Sequence, residues 1–471
     1  MKRFLWLCLA VTMLAALFAG CGDSGTQQET SAPAQTTTAA PETDAPETDA
    51  PVDLQGYEFI LYGGMDQLQY NTENEIYTRY ADEIARIEKE LNCVIVHDNY
   101  NAVEATEIMP AILGDTKLGD FVCSRHSTFF PLINPGYILA LDSDEVKGYG
   151  LDVKDAGKWD QVYTGLSEYD EHIWGILPNG EYYICCIGDF FAFNPEITAQ
   201  AGYTKDQIYD AVRNGKWNYD LFLEIARKAT VDIDGDGNYD QWGMGGGVFQ
   251  YAEMCATNDF SPISYDEMGT WICDFTNPRY IEALDFVGQL AGDDIRPDID
   301  ISGGGACRTL FAEGKLAFNQ FYGLNIDDQD DDIFKSEFDF GIVPTPKGPS
   351  AETYTCVYPD LDAYILLSNA ATRANLDKAV TVMNAIGEVI TNDGWIDYFK
   401  SAFRDEDSWD IFYNYIYPNT SLNMQNATGD IWQHVRENIV LDVLLGNKTA
   451  AQAVEGQNAQ IQALLDAAYG S

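Results

Sequence analysis

Tyr57-Glu-Phe-Ile-Leu-Tyr62, Cys93-Val-Ile-Val96 and Asp120-Phe-Val-Cys123 are three short apolar runs of strand length. Two stretches of helical character separate them. Thr72 and Glu75 form a capping box. Ile76, Tyr80, Ile84, Ile87 and Leu91 then keep the spacing of one helix face. Residues 103–113 make the second predicted helix, and Gly63-Gly64 closes the first strand. Strand, helix, strand, helix, strand predicts a parallel sheet covered by helices. Ligands of such sheets bind beyond the carboxyl ends of the strands, which here are residues 63–66 and 124–126.

The pattern continues outward. Residues 218–229 read as a helix capped by Asn218. Another starts at Pro278, with Asn277 as its cap and proline in the first turn. Ile281, Leu284, Val287 and Leu290 form its apolar stripe, and Gly292 ends it. Residues 316–319, 338–343 and 364–367 read as strands, and 449–469 as a last amphipathic helix. The body is α/β throughout, without internal repeats.

The 471 residues carry 27 Lys+Arg against 75 Asp+Glu, a formal net charge of −48. A length near 470 argues for two lobes, because single cores rarely grow past ~250–300 residues. So negative a surface repels phosphate backbones and anionic headgroups, which argues against nucleic-acid binding and polybasic membrane docking. Aromatic residues make up 13% of the chain, enough to bury a core and to exclude global disorder.

The first twenty residues read as an address. Lys2 and Arg3 precede an apolar run from 4 to 18 that is too short to span a bilayer. Leu17-Phe18-Ala19-Gly20-Cys21 resembles a bacterial lipoprotein signal, in which the cysteine, here Cys21, carries the lipid, a palmitate among its acyl chains. The family prefers leucine where Phe18 stands. A plain secreted protein cleaved nearby is the alternative. Residues 22–52 are rich in Ser, Thr, Ala, Pro and acid, and cannot bury a core. They are expected to form a tether of roughly 100 Å at ~3.3 Å per residue. Without Lys2 and Arg3 the charge becomes 25 − 75 = −50. Gly22-Asp23-Ser24-Gly25 matches a serine-protease fragment by chance, since it sits in this tether.

Of the ten cysteines, eight remain once Cys8 and Cys21 are set aside. None forms a CxxC pair, and the histidines do not stand beside them at zinc spacing. Free buried thiols and disulfides both fit this pattern. P-loop, HExxH, GxSxG and dinucleotide motifs are missing.

One motif stands out, Asp232-Ile-Asp234-Gly-Asp236-Gly-Asn238-Tyr-Asp240. Oxygen ligands recur at alternate loop positions around a glycine, which is three-quarters of an EF-hand calcium loop. Gly243 stands where that loop places its bidentate glutamate, so a last ligand is expected from Gln241 or water. An acidic, Asx-rich turn without metal is the competing reading. A structural calcium ion is expected, with Asp232, Asp234, Asp236, Asn238 and Asp240 around it.

The order of local segments resembles the family 1 extracellular solute-binding proteins, the capture lipoproteins of carbohydrate ABC importers. The segments are Gly136-Tyr-Ile-Leu-Ala-Leu-Asp142, Tyr169-Asp-Glu-His-Ile-Trp174-Gly175-Ile-Leu-Pro178 and Phe193-Asn194-Pro195 with Ala201-Gly202. Lys216-Trp217-Asn-Tyr-Asp-Leu-Phe222, Gly314-Lys315-Leu-Ala317-Phe318 and Phe340-Gly-Ile-Val-Pro344-Thr-Pro346-Lys347-Gly348 complete them. Phe193 and Phe318 replace the usual tyrosine and methionine. The resemblance covers residues 53–471. It implies a type II periplasmic-binding-protein clamshell, two α/β lobes with each sheet flanked by helices. Lobe I would comprise 53–180 plus 350–400, and lobe II 181–349 plus 401–471. Hinge crossings would fall near 178–186, 344–350 and 400.

The family implies capture of a sugar or oligosaccharide by lobe closure, without catalysis and without an organic cofactor. It also implies permease subunits as partners, a monomer, and attachment to the outer face of the cell membrane through lipid alone. Aromatic rings stack on sugar faces while polar side chains bond the hydroxyl edges. Asp66, Arg125, His126, Tyr183, Tyr251, Tyr322 and Asp360 stand after strands or near crossings and are the candidate contacts. Each residue type is equally at home in a core, a cap or an ion pair. Trp174, Trp217 and Trp242 read as packing residues. A peptide or amino-acid receptor on the same fold, and a surface glycoside hydrolase, are the alternatives.

Overall fold

β1 (Tyr57–Tyr62), β2 (Cys93–Asp98), β3 (Phe121–Arg125) and β4 (Ile138–Leu139) open the chain's folded part. β5 (Glu168–Tyr169), β6 (His172–Ile173), β7 (Phe190–Phe193) and β8 (Trp242–Gly245) follow. Then come β9 (Ile263–Tyr265), β10 (Trp271–Cys273), β11 (Leu316–Phe321) and β12 (Gly341–Pro344). β13 (Cys356–Tyr358), β14 (Asp362–Leu367) and β15 (Thr420–Leu422) are the last. The computed structural model describes residues 52–64, 75–99, 101–179, 188–266, 269–292, 294–297, 305–321, 336–358, 362–389, 400 and 403–470.

β1 lies between β2 and β3 and runs parallel to both, with Tyr57 opposite Cys93 and Leu61 opposite Phe121. The helix Glu75–Leu91 joins the first pair and buries Tyr80, Ile84 and Ile87, as its spacing predicts. Residues 72–74 of its expected capping box lie outside the described residues. The second helix starts at Ala105, two residues later than expected. Asp120 fixes the β1–β3 register from a buried position. Its carboxylate accepts the Ile60 amide at 2.7 Å and the Tyr57 hydroxyl at 2.5 Å, and pairs with Lys117 at 2.7 Å.

The full order of this first sheet is β2-β1-β3-β14-β4. β14 returns from far along the chain and runs antiparallel to β3, with Asp362 opposite Arg125. The second sheet has the order β12-β7-β11-β8. β11 and β8 are parallel, while β7 runs against both β11 and β12. All four residues of β7 are buried. Trp217 is buried among Phe222 and Phe318, and its indole N–H donates to the Pro344 carbonyl at 2.8 Å. Trp174 and Trp242 are half-buried.

Asn218 caps the helix Tyr219–Ala229 by accepting the Leu221 amide at 3.0 Å. The helix Pro278–Gly292 buries Leu284, Val287 and Leu290. The C-terminal segment departs from expectation. It forms two helices, Ala450–Val454 and Gln457–Tyr469, because Gly456 adopts a left-handed φ of 76° between them. The strand expected over 338–343 is shorter and later, at β12, because Phe338 leaves the sheet and packs its ring on Phe311.

Passages between the sheets lie side by side. The Gly188 amide donates to Thr420 Oγ1 at 3.3 Å, and the Asp189 amide to the Val357 carbonyl at 2.9 Å. β13 pairs in parallel with β15, Cys356 opposite Thr420. The passage expected at 178–186 is described only to residue 179, and the one near 400 only at residue 400 itself, since 390–399 and 401–402 lie outside the described residues. A second junction is aromatic. Trp271 stands 5.9 Å from Tyr169, 6.4 Å from Phe130, 5.5 Å from Tyr265 and 4.1 Å from Tyr469 between ring centres. The Tyr169 hydroxyl donates to the Gly269 carbonyl at 2.8 Å, and Tyr265 to the Glu168 carbonyl at 3.1 Å. Cys93, Cys123, Cys255, Cys273, Cys307 and Cys356 are free thiols. Among the described residues, no helix is long and apolar enough to cross a membrane.

Candidate functional site

The carboxyl ends of the first sheet converge as the alternation requires. β1 ends at Tyr62, and Gly63 follows it with a φ of 79° that needs a glycine, where a Cβ would meet Val103 Cγ2 at 2.7 Å. β3 ends at Arg125. Its guanidinium reaches Asp362 at 3.5 Å and Glu104 at 4.0 Å and stays 48% exposed. Among the described residues, Arg125 is the sequence-predicted contact that stands open to solvent at this edge. His126 corrects the expectation. It begins the helix His126–Phe129 and turns inward, buried with its ring edge-on to Phe130 at 5.7 Å. Asp66, Tyr183, Tyr322 and Asp360 lie outside the described residues.

In the second sheet, β8 ends in Gly245-Gly246-Gly247, which leads into the helix Val248–Met254. A Cβ at Gly245 would stand 2.5 Å from Leu316 Cδ1 and 2.7 Å from Cys307 Cβ, so packing demands glycine there. Tyr251 also corrects the expectation. It faces the core, fully buried, because the helix lays this side against the sheet.

The same edge gathers polar groups that sequence reading missed. Asp189, at the start of β7, is buried, and its Oδ2 accepts from Gln320 Nε2 at 2.6 Å. Glu253, on the helix Val248–Met254, is also buried, and its charge acts on Asp189. Burial, then the Glu253 charge, push Asp189 well above the usual carboxylate range. Asn319 is buried on the strand position before Gln320. Their only sequence signal was a polar residue inside an apolar run, as in Leu316-Ala-Phe-Asn-Gln-Phe321. Near the passages, Asp160 caps the helix Gln161–Leu166 through the Val162 and Tyr163 amides at 2.9 and 3.1 Å. The Tyr417 hydroxyl donates to its other oxygen.

The Asp-rich loop is closed at its base by the antiparallel pairing of Val231 with Gln241. Carboxylate oxygens of Asp232, Asp234 and Asp240 lie within 4.8 Å of one another. Asp232 also accepts the Gly235 and Gly237 amides at 2.7 and 2.9 Å. Asp240 accepts the Ile233 amide at 2.8 Å. Asp236 turns instead to Asn238, accepting its amide at 2.8 Å. An all-oxygen set of this kind suits a hard cation. Gln241, expected as a last ligand, is turned inward: it is buried, and its Nε2 donates to the Ala229 carbonyl at 2.7 Å. Gly243 has a packing cause: a Cβ there would stand 2.3 Å from the Ala226 carbonyl oxygen.

No protein-family model matches the sequence, and no curated protein does. Solved structures match its fold. The cyclic α-maltosyl-1,6-maltose binding protein of Arthrobacter globiformis superposes with a TM-score of 0.60 at 13% identity, over 88% of this chain and 100% of that one. The fold is that of the two-lobed solute-binding proteins. The maltose/maltodextrin-binding domain MalE of Bdellovibrio bacteriovorus, bound to maltotriose, gives 0.55 at 17% identity, over 87% of this chain and 99% of that one. UgpB of Mycobacterium tuberculosis, in complex with glycerophosphocholine, gives 0.58 at 15% identity, over 88% and 98%. Arg125 and Gly245–Gly247 stand at the carboxyl ends of β3 and β8, the side on which open α/β sheets in general bind ligands.

Proposed function

We propose that the protein captures a sugar or oligosaccharide outside the cell for an ABC importer, by closing two lobes on it, and releases it unchanged. The supporting observation is a clamshell fold shared over nearly nine-tenths of the chain with proteins that bind maltotriose and cyclic maltosyl-maltose. Lobe I would comprise 53–180 plus 350–400, and lobe II 181–349 plus 401–471. The strands of the first sheet all fall in the former ranges and those of the second in the latter. Lipidation of Cys21, anchoring at the extracellular face of the cell membrane, a monomeric state and permease partners belong to the same reading. No catalytic step is part of it.

A thermal-shift screen over glycans, peptides and glycerophosphodiesters tests it. A glycan at ~100 times its Kd is expected to stabilise the protein by ~2.7 kcal/mol, and to be recovered intact. A shift with peptides or glycerophosphodiesters alone would replace the ligand class, and reducing ends released from the glycan would replace capture by hydrolysis. With the glycan in hand, Arg125→Ala is expected to weaken affinity about tenfold, or ~1.4 kcal/mol, with the ligand-free melting temperature unchanged. Equal affinity would remove Arg125 from the site.

The Asp232–Asp234–Asp240 cluster supports a structural calcium ion, with Asp236 and Asn238 shaping the loop. A chelator is expected to lower the melting temperature, and added calcium to restore it. No shift, together with no calcium in the purified protein, would leave the loop as an acidic turn.

A further inference from the structure

A cleft of about 650 Å³ opens at the edge of the second sheet where β7 ends and β8, β11 and β12 begin. Asn194 follows β7, Gln241 precedes β8, Gly314 lies just before β11 and Phe338 before β12. The triple glycine marks the other edge, because β8 carries the chain from Gln241 to Gly245. The six residues of β11, at ~3.3 Å each, put roughly 20 Å between the two edges.

Two side-chain amides in its wall each hold one group in reserve. Asn194 is only 2% exposed. Its Oδ1 accepts the Glu196 and Ile197 amides at 2.9 and 3.4 Å, which fixes its orientation. Nδ2 then lies on the Gly314 side, 3.8 Å from where a Cβ at Gly314 would stand, and no acceptor among the described residues meets it. Gln241 is 6% exposed. Its Nε2 is committed to the Ala229 carbonyl, so Oε1 is the other end, and no donor among the described residues meets it. Neither atom is sealed within the core. The helix Pro195–Gln200 has no amide left to offer beside them. Pro195 has none, Asn194 Oδ1 takes the next two, and the Asn194 carbonyl takes that of Thr198.

The chemistry of the wall selects the ligand. Beside the single donor Asn194 Nδ2 stand the acceptor Gln241 Oε1 and the carboxylates of Glu196, Glu313 and Glu337. No basic side chain lines the cleft among the described residues, and neighbouring Lys315 is taken by Glu313 at 2.7 Å. Anions are therefore repelled. Ammonium and guanidinium groups would suit the carboxylates but have no lone pair for Asn194 Nδ2. A peptide main chain brings one N–H per residue, too few for so many acceptors. Hydroxyls both donate and accept. A saccharide carries several of them around C–H faces that suit the half-buried Phe338 ring in the same wall. The volume lies within the ~300–1,000 Å³ of small-molecule sites. We propose that this cleft is a second carbohydrate site, which takes a saccharide residue by its hydroxyls at the sheet edge away from the triple glycine. It goes beyond the capture function and does not depend on it.

The side-chain amide signals of Asn194, read by NMR in the isotope-labelled full chain, test the site. Asn194→Asp assigns them by their loss. That variant keeps the Oδ1 cap and exchanges the donor for a second acceptor. Glucose, galactose and N-acetylglucosamine are the probes, with lysine, glycylglycine and glycerol phosphate as the contrasting classes. At least one saccharide is expected to move the Asn194 signals. Asn194→Asp is expected to weaken its binding, read by saturation transfer to the sugar, about tenfold. Unmoved signals with all three saccharides, or equal affinity in the variant, would overturn the proposal. So would signals moved only by lysine, glycylglycine or glycerol phosphate. Should Asn194→Asp fail to fold, Phe338→Leu is expected to weaken saccharide binding about threefold, and equal affinity there overturns the site. A glycan that stabilises the chain with the Asn194 signals unmoved would sink this site and leave the capture reading standing. Saccharide binding that is lost wholly in Asn194→Asp, with no other glycan bound, would keep this site and sink capture.

Discussion

Trp271→Ala is expected to cost about 3–5 kcal/mol of unfolding free energy, the usual range for removing a large buried ring. The indole is nearly inaccessible and touches four other rings, stacking on Tyr469 at an interplanar angle of 20°. Tyr169 and Phe130 belong to the first part of the chain, Tyr265 to a neighbouring hairpin strand and Tyr469 to the last helix. Tyr169, Tyr265 and Tyr469 cannot shift to fill the space, because each is held elsewhere by its hydroxyl. Tyr469 donates from its hydroxyl to the Ala427 carbonyl at 2.6 Å, and Tyr169 donates to Gly269. Urea unfolding of wild type, Trp271→Ala and Trp271→Phe measures the loss. A cost below 1 kcal/mol for alanine would mean the rings do not form a joined core.

Gly188→Val is expected to be as damaging for a different reason. A Cβ at Gly188 would stand 2.0 Å from the Cys356 carbonyl oxygen and 2.4 Å from its carbon. Both are main-chain atoms of β13, so relief requires separating two passages rather than turning a side chain. A loss of about 3 kcal/mol or more is expected, with Gly188→Ala only slightly milder. Gly148→Ala is the control. Nothing lies within 4 Å of its Cβ position, and it ends the helix Asp144–Gly148, so a gain of up to ~1 kcal/mol is expected. Similar stabilities for the Gly188 and Gly148 variants would show that the passages are not packed as described.

The first sheet could be read from local pattern because each of its early strands is followed by a helix of its own spacing. β14 could not be placed that way. Its apolar run announces a strand, but nothing local says that Tyr364 pairs with Cys123. The short helix His126–Phe129 illustrates a second limit. Four residues do not fix the rotational phase of a helix, so His126 was assigned to the cleft edge and the fold buries it. Tyr251 failed for the same reason, one turn into its helix. The Asp189–Glu253–Gln320 cluster failed by distance along the chain. Gln320 is 131 positions from Asp189, and single acids among 75 carry no signal until the sheet brings them together. Gly243 shows the opposite case: it reads as a defect in a cation loop, and the contact with Ala226 shows what the helix needs there.

The hairpin closed by Val231 and Gln241 has a practical corollary. Its tip, with Ile233 at 67% exposure, projects from the body, while its two feet stay pinned to each other. An exposed tip of that form is a preferred site of proteolytic nicking, and a cut between Gly235 and Gly237 would leave the two feet paired at the base.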